Sequence, residues 1–278
     1  MIAKTKVLSK KELAKKQGIS RSSLYYQLKM PIKDWHLKNR IETVLKENPS
    51  YGYRRIALAL NVNHKRTFRV MKENGIKPYR RRGKKFRKTK DSARVYPNLL
   101  QQMEFPLRIN AAWASDFTPI SFHGKLVYLA TIMDIFNRKI VGWCLLNSHA
   151  VQLTLTALMN AIEKYGRPEI LHSDQGSEYK SKIYASFAES LGIRLSMSKK
   201  ASPWENGYQE SFYSQFKVDL GDQNRFKTLG ELAVAIYLQI YYYNNQRIHT
   251  KLKMPPALFA ERLRQPADLT TNYVSIKV

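Results

Sequence analysis

The spacing of apolar and polar positions divides the chain into a helical first part and a mixed second part. Up to Gly75, apolar residues recur at helical intervals and are interrupted by turn residues. From Ala111 onward, short apolar runs typical of strands alternate with helical stretches. We therefore predict helical modules followed by an α/β domain.

Residues 1–30 have the pattern of two short helices joined by a tight turn. Ser9 can cap the first helix, Gly18 can form the turn, and Ser20 can cap a second helix over Arg21–Leu28. This arrangement is typical of a helix-turn-helix, whose second helix faces DNA. An ordinary helical hairpin is the alternative, and the basic charge described below favours the DNA interpretation.

Residues 31–78 have the pattern of a second helical module. Its first helix ends at Asn48-Pro49-Ser50, and helices are then predicted over Tyr53–Leu60 and Asn63–Asn74, with Gly75 as a stop signal. The exposed face of these helices is basic. We interpret it as a second helix-turn-helix-like surface for DNA, with a solvated basic face as the alternative.

Residues 110–225 contain the elements of the α/β domain. Three meandering strands followed by alternating helices and strands are the order of a ribonuclease H-like domain. Residues 226–278 are predicted to form a C-terminal helical extension with a long helix over Leu229–Tyr243. The other predicted elements are strands over Trp113–Phe122, Leu126–Ile135, Lys139–Leu146, Glu169–Ser173 and Ile193–Ser198, and helices over Ala150–Tyr165 and Lys182–Leu191.

The net charge of +27 is concentrated in the first part of the chain. Residues 1–110 contain 29 lysines and arginines against 7 acids, whereas residues 111–278 contain 19 against 14. Within a basic linker over residues 79–109, residues 79–90 hold eight positive charges and no acid. Such a segment stays extended until it meets phosphate, so we predict that it follows a DNA backbone or minor groove; a nuclear localisation signal is the alternative.

Composition also excludes two classes of protein. No apolar run approaches the roughly 18 residues of a membrane span. Cys144 is the only cysteine, which excludes disulfides within the chain and cysteine-rich zinc sites. We expect a cytoplasmic, nucleoid-associated protein with no membrane partner.

Three carboxylates on separate predicted elements are the candidate chemistry. Asp116 lies on the first strand, Asp174 follows the strand that ends at Ser173, and Glu210 lies on a predicted helix. Such carboxylates are typical of sites that hold two divalent ions for phosphoryl transfer, and Mg²⁺ prefers oxygen ligands. We therefore predict a catalytic site with two Mg²⁺ ions, for which Mn²⁺ can substitute.

The start of the helix that carries Glu210 indicates which of its acids binds metal. Ser202 can be the N-cap, Pro203 suits the first helical position, and Glu205 lies three residues after the serine. These residues match a capping box, which gives Glu205 a structural role. Glu210 is therefore the better metal ligand.

Two further acids and a lysine lie near the predicted site. Asp134 and Glu178 could support the metal ligands, but we expect Asp134 to organise a turn with Arg138, and Glu178 to cap a helix or face solvent. Lys217 lies seven residues after Glu210 on the same helix face, where it could hold a DNA phosphate. A solvated lysine is the alternative.

Candidate DNA contacts come from the helical modules, the basic linker and the C-terminal part. Beyond the long helix, Arg247, His249 and Lys251 are positioned to touch DNA. The candidate DNA-binding residues are Arg21, Ser22, Ser23, Tyr26, Arg54, Arg55, Lys65, Arg66, Arg69, Arg80, Arg81, Arg82, Lys84, Lys85, Arg87, Lys88, Lys217, Arg247 and His249.

Six stretches in order give the chain a resemblance to the transposases of insertion-sequence family three, in their second-frame catalytic protein. They are SYGYRRIALALNVNHKRTFRVMKENGI, WASDFTPISF, YLATIMDIFNRKIVGW, LHSDQGSEY, SPWENGYQESFYSQFK and YYNNQRIHTKLKMPPALF, and they span about Ser50–Phe259. The resemblance implies a retroviral integrase-like catalytic domain whose Asp, Asp and Glu map onto Asp116, Asp174 and Glu210, and whose lysine maps onto Lys217. It also implies Mg²⁺ and element-end DNA that is cut and joined through a circular intermediate.

The resemblance also bears on partners. In that family a first-frame protein usually contributes a helix-turn-helix and a leucine zipper, often as a fusion. Here no heptad zipper precedes the catalytic part, whereas Ser9–Leu28 offers a helix-turn-helix of its own. The expected partners are double-stranded DNA, as terminal inverted repeats and target, further copies of the chain assembled on DNA, and a separate first-frame protein.

We therefore predict a DNA transposase that binds terminal inverted repeats, nicks one strand and transfers the freed 3′-hydroxyl to a second phosphodiester. A DNA-binding repressor with an inert nuclease-like domain would share every basic feature but would not need three acids at these positions. A ribonuclease H-type nuclease would cleave RNA:DNA hybrids and form no joined product.

Overall fold

The computed structural model describes residues 9–18, 20–22, 30–79, 96–102, 108–199 and 203–263. Its first helix, α1, covers Lys10–Lys16 and begins as predicted. The Ser9 side chain accepts a hydrogen bond from the Glu12 backbone N–H, and the Ser9 N–H donates to the Glu12 carboxylate at 2.9 Å. This reciprocal pair is the capping box that stabilises a helix start. The predicted second helix, Arg21–Leu28, lies largely outside the described residues.

Three helices form the second module: α2 over Met30–Glu47, α3 over Tyr53–Leu60 and α4 over His64–Glu73. The predicted helices are confirmed, although α2 begins at Met30. A small core closes the module because the apolar faces of the three helices meet. Its buried members are Leu37, Ile41, Tyr51, Ile56, Val70 and Met71.

A five-stranded sheet is the centre of the α/β domain. A short helix, α5 over Leu99–Gln102, comes first, and the strand order is β3-β2-β1-β4-β5. The first three strands form an antiparallel meander, and β4 and β5 run parallel to β1. The predicted ribonuclease H-like order is confirmed. The strands are β1 over Ala112–Phe122, β2 over Lys125–Asp134, β3 over Ile140–Leu146, β4 over Ile170–Ser173 and β5 over Arg194–Met197.

Helices cover both faces of the sheet. On one face, α6 over Val151–Tyr165 and α7 over Lys182–Ser190 enclose a core that includes Trp113 and Leu153. Gly142 lets α6 approach β3, because a side chain there would collide with the α6 backbone at Ala157.

The opposite face is covered by α8 over Gly207–Leu220 and α9 over Leu229–Asn245. Phe212 and Phe216 of α8 and Ile236 and Ile240 of α9 pack there against Leu129 and other sheet residues. The long C-terminal helix is thus part of the same core as the sheet. The last described helix, α10, covers Pro256–Arg262.

The helical module is fixed to the α/β domain by buried polar contacts at the end of α9. The side chain of Arg247 is only 3% exposed; its Nε lies 2.7 Å from the Asp219 carboxylate of α8, and its Nη2 donates to Ser50. The Tyr51 hydroxyl accepts from the Ile248 N–H, and Arg55 Nε donates to the Ile248 carbonyl. The described helices include none long and apolar enough to cross a membrane.

Candidate active site

Strand pairing places the two candidate aspartates side by side. Ala114 of β1 is paired with His172 of β4 in the parallel register. Two residues further along the chain from this pair come Asp116 and Asp174. Because the two strands run parallel, the two aspartates lie next to each other. The prediction that two acids remote in sequence are neighbours in space therefore has a structural basis in the sheet.

Asp116 is the most perturbed acid of the site. Burial, then the negative charge of Asp174 and, to a lesser extent, that of Glu210 raise the pKa of Asp116 to about 8, while the Phe117 N–H and Lys217 oppose the shift. The Phe117 N–H donates to the Asp116 carboxylate at 2.8 Å. A carboxyl group held near like charges favours the binding of a cation that offsets them.

Asp174 is held by the loop that follows β4. The Gly176 N–H donates to Asp174 Oδ1 at 2.9 Å. Burial and then the charge of Glu178 raise the pKa of Asp174, while the Gly176 hydrogen bond and Lys180 oppose the shift. The carboxylate is therefore oriented by the backbone N–H of Gly176.

Glu210 reaches the site from the first turn of α8. The residue is exposed overall, but partial burial of its carboxylate raises the pKa of that group. The preceding residue, Gln209, fixes that turn to the sheet. Its Nε2 donates to the Ala114 carbonyl at 2.6 Å and to the Thr131 carbonyl at 3.1 Å, and its Oε1 accepts from the Thr131 hydroxyl.

One turn later, the Tyr213 hydroxyl donates to the Asp116 carbonyl at 2.7 Å. Sequence reasoning missed both Gln209 and Tyr213. Their spacing of four residues puts them on one helix face, and a polar residue in the apolar stripe was the signal available. Together they fix the helix that carries Glu210 to the strand that carries Asp116.

The start of α8 corrects one prediction. The helix begins at Gly207, after a 3₁₀ turn over Pro203–Asn206, and not at Pro203. The predicted cap, Ser202, lies outside the described residues. Glu205 has a structural role, but its carboxylate accepts from the Asn98 side chain and from the Lys199 N–H, both at 2.8 Å. It ties the chain before β1 to the loop before α8.

Lys217 lies beside the acids. Its ammonium donates to the hydroxyl of Thr118, two residues after Asp116 on β1. Its positive charge lowers the pKa of Asp116. The lysine therefore stands on the same side of α8 as Glu210, in position to meet a negatively charged substrate.

The two supporting acids differ from each other. Asp134 is buried and accepts from the N–H groups of Asn110 and Phe136, both at 2.8 Å, so it organises its turn as predicted. Glu178 was expected to cap a helix or face solvent, and this expectation was wrong. It is 6% exposed, and its carboxylate lies 2.6 Å from His149 Nδ1. Burial alone would raise the pKa of Glu178. The hydrogen bonds of His149 and Ser177 have the larger effect, so the net pKa is lowered.

The candidate DNA-binding residues are distributed unevenly. Arg54 is exposed on α3 and Lys65 on α4. Arg21 and Ser22, near the start of the chain, are exposed as well. Arg66 and Arg69 both pair with Asp34 of α2, at 2.9 and 2.6 Å. The candidates that lie outside the described residues are Ser23, Tyr26, Arg80, Arg81, Arg82, Lys84, Lys85, Arg87 and Lys88.

Three candidate DNA-binding residues lie at the contact between the helical module and the α/β domain. Arg247 is buried there in its pair with Asp219. Arg55 is half-buried and bonded to the Ile248 carbonyl. His249 is partly buried, and burial followed by the charges of Arg138 and Arg55 lowers its pKa to about 3.

The site offers the carboxylate oxygens that a divalent metal ion binds, but its acids do not converge on a single point. In the part of the chain that the structure describes, no three His, Cys, Asp or Glu side chains converge tightly enough to hold one ion. Asp116 nevertheless experiences the charges of Asp174 and Glu210. Hard oxygen ligands with unbalanced negative charge fit Mg²⁺, and the fold implies use of a divalent metal.

The raised pKa of Asp116 predicts how the metal-free chain responds to pH. A carboxyl whose pKa is raised by folding contributes stability that is present below its unfolded value of 3.8 and is lost as the pH rises through about 8. Asp116→Asn cannot ionise, so we expect it to raise the thermal unfolding midpoint by about 5 °C at pH 8 and by much less at pH 4. Calorimetry in a chelating buffer measures both.

Asp222→Asn is the matched control, because Asp222 is exposed and asparagine can also cap the turn that it begins. We expect no pH-dependent change in this variant. An equal effect of Asp116→Asn at pH 4 and pH 8 would contradict the raised pKa of Asp116.

Sequence profiles of known families match most of the chain. A family described as "Integrase core domain" matches residues 106–203, and a second with the same description matches residues 191–256. A family described as "HTH-like domain" matches residues 33–84. The matched residues include all three candidate acids, Lys217 and the module formed by α2, α3 and α4.

Known proteins match over most of their own length. InsK for insertion sequence element IS150 of Escherichia coli strain K12 is 32% identical over 254 residues, which cover 87% of this chain and 89% of InsK. The transposase for insertion sequence element IS904 of Lactococcus lactis is 34% identical over 226 residues, which cover 78% of this chain and 89% of that protein.

A solved structure shows the same fold. A chain of the simian T-cell lymphotropic virus intasome in complex with PP2A regulatory subunit B56 gamma is 16% identical. It matches with a TM-score of 0.51, over 84% of this chain and 80% of its own length. The expected integrase-like architecture is confirmed.

Proposed function

Because this chain belongs to the transposases of insertion-sequence family three, we propose that Asp116, Asp174 and Glu210 are its catalytic acids. The chain is a DDE-type polynucleotidyl transferase that acts in DNA transposition and integration. The observation that best supports the residue assignment is the parallel register of β1 and β4, which places Asp116 beside Asp174. The charges of Asp174 and Glu210 both act on Asp116.

The proposed cofactor is a pair of Mg²⁺ ions, with Mn²⁺ able to substitute. Asp116, Asp174 and Glu210 are the residues that would hold these ions. When bound, such ions stabilise the attacking and leaving oxygens of an in-line displacement. The buried, mutually repelling carboxylates support this assignment, because ion binding offsets their charge.

The proposed reaction has two displacements at phosphorus. In the first, the oxygen of water forms a bond to phosphorus and the bond to the 3′ oxygen breaks, which leaves a 3′-hydroxyl on one strand. In the second, that hydroxyl attacks another phosphodiester, so that one P–O bond forms and one breaks. No covalent bond to the protein forms in either step.

The chain's own residues position the reacting groups. Lys217 holds a substrate phosphate oxygen, a role supported by its location beside Thr118 and Asp116. Gln209 and Tyr213 keep α8 on β1, so that the acids of the two elements stay at a constant separation. These two are positioning residues, because they act through the acids.

We further propose that residues 1–78 recognise the terminal inverted repeats, residues 79–109 follow the DNA, and residues 110–225 cut and join it. Arg54 of α3 and Lys65 of α4 are exposed and available for such contacts. Several copies of the chain assemble on the two element ends in the nucleoid, with a first-frame protein as a further partner.

A strand-transfer assay tests the proposal. Purified full-length chain is incubated with Mg²⁺ and labelled duplexes that carry the element ends, and the products are separated on denaturing gels. We expect a nicked strand and a joined product, and neither in a chelator. A DNA shift with intact strands would identify a repressor, and cleavage of RNA:DNA hybrids without joining would identify a ribonuclease H-type nuclease.

A further inference from the structure

A cavity of about 600 Å³ lies where the helical module meets the α/β domain. We call it the junction cavity. Arg55 contributes from α3, Tyr208 and Ser211 from α8, and His249 and Lys251 from the segment after α9. Its volume is within the range of about 300 to 1,000 Å³ that is typical of small-molecule sites. It is therefore large enough for more than a simple ion.

The junction cavity lies on a different face of α8 from the catalytic acids. Tyr208, Ser211 and Gln215 face it, at the three- and four-residue spacing of one helix side. Glu210 and Lys217 occupy another side of the same helix. A ligand in the cavity would thus contact the helix that delivers Glu210 without occupying the catalytic site.

Positive charge is in excess around the junction cavity. Its lining includes the cations Arg55, Arg138, Arg247 and Lys251, and a single acid, Glu205. Asp219 offsets Arg247 from outside the lining. Cations held this close repel one another, and the charge of Arg247 lowers the pKa of Arg55 after burial has done so. An anion in the cavity would relieve that repulsion.

His249 is a polar residue of the cavity lining. Its Nδ1 is buried and has no hydrogen-bond partner among the residues that the structure describes. Its backbone N–H is bonded to the Met254 carbonyl at 3.1 Å, so the residue is held in place. Buried polar atoms are nearly always satisfied, so a small rotation of the imidazole toward a ligand in the cavity would give Nδ1 a partner.

The rest of the wall is aromatic and apolar. Half-buried Tyr208 lines it, backed by the buried residues Phe212, Tyr243 and Met133, and the guanidinium of Arg138 lies over the Tyr208 ring with its carbon 4.0 Å from the centroid. Aromatic rings beside cations are the combination by which proteins bind single-stranded nucleic acid, since bases stack and phosphates pair with cations.

We propose that the junction cavity binds one unpaired nucleotide of the DNA substrate, with its phosphate among the cations and its base against the aromatic wall. The inference rests on the DNA function proposed above. A free inorganic anion would satisfy the cations but leave most of the volume and the aromatic wall unused. An unpaired nucleotide uses all three features.

Binding to full-length chain labelled with ¹⁵N-histidine tests the inference. The probes are a 5′-phosphorylated thymidine pentanucleotide, a fully paired duplex and inorganic phosphate. We expect the pentanucleotide to shift the His249 imidazole resonances and raise the pKa of His249, because the phosphate opposes the surrounding cations. His249→Gln assigns the signals. Neither the paired duplex nor inorganic phosphate at the same concentration should shift them.

Lys251→Ala provides the matched affinity test, because Lys251 is exposed at the cavity and its loss should not affect folding. We expect the pentanucleotide to bind about tenfold more weakly to this variant. The control is Lys227→Ala, an equally exposed lysine outside the cavity, for which affinity should stay unchanged.

Three results would overturn the inference: no His249 response to the pentanucleotide, an equal response to inorganic phosphate, or equal weakening by the two lysine variants. The proposed function fails separately. If paired terminal repeats are still nicked and joined while the pentanucleotide leaves the His249 resonances unchanged, only the junction cavity has been assigned wrongly.

Discussion

Strand cleavage in Mg²⁺ should fall by at least about 10³-fold when Asp174 is replaced by asparagine, whereas DNA binding should stay near that of the native chain. Asparagine keeps the shape and can still accept the Gly176 hydrogen bond, but it removes one of the charges that would hold a cation beside Asp116. The DNA-binding candidates on α3 and α4 are on another module.

The Asp174→Asn variant should remain folded. Burial disfavours the charged form of Asp174, so a neutral side chain at that position relieves a cost. The assay compares initial nicking rates on labelled element ends, with band-shift affinity on the same duplex. Asp222→Asn, the same exchange at an exposed position, should nick at the native rate. Full nicking by Asp174→Asn would refute the assignment of the catalytic acids.

The largest effect on stability is expected at the buried pair of Arg247 and Asp219. Arg247→Met leaves the Asp219 carboxylate, which is 10% exposed, without its partner, and it removes the hydrogen bond to Ser50. Loss of one partner of a buried ion pair costs about 3 to 5 kcal/mol. Urea unfolding should therefore show a lower midpoint for this variant than for the native chain.

A double-mutant cycle separates the charge effect from lost packing. Asp219→Ala combined with Arg247→Met should be less destabilised than the sum of the single variants, since neither charge is then left alone. Arg262→Met, at an exposed arginine of α10, should unfold within about 0.5 kcal/mol of the native chain. If Arg247→Met behaves like Arg262→Met, the pair does not hold the module in place.

The order of elements was predictable because it depends on local pattern. Apolar runs with turn residues between them located β1, β2 and β3 to within two residues, and the His123-Gly124 turn has the positive φ angles of 45° and 76° that two-residue hairpins need. The register of β1 against β4 is a long-range property. It determines that Asp116 and Asp174 are adjacent, and no local signal encodes it.

The candidate site was predictable in its acids but not in its supports. Glutamine is most often a surface residue, but Gln209 is completely buried and hydrogen-bonded to two strands. Arg247 and Arg66 likewise contribute positive charge to the sequence, whereas the structure pairs them with Asp219 and Asp34. Charge counts cannot distinguish a cation that contacts DNA from one that joins two parts of the protein.

The α-helical start of α8 was predicted at Pro203, four residues before Gly207. The segment between them is held by tertiary contacts, because the Glu205 carboxylate bonds to Asn98, more than one hundred residues earlier in the chain, and to the Lys199 N–H. The segment before Gly207 forms a 3₁₀ turn instead of α-helix. Short motifs predict helix starts poorly where a loop is held by a remote element.

The contact between the helical module and the end of α9 sets a fixed distance between the two parts of the protein. The hydrogen bonds of Tyr51, Arg55 and Arg247 fix α3 to the same body that carries the catalytic acids. If α3 and α4 read the element end as proposed, the distance from that sequence to the cleaved phosphate is a property of the protein. Base pairs inserted between the two in an element end would move the cut by the same number of nucleotides along the DNA.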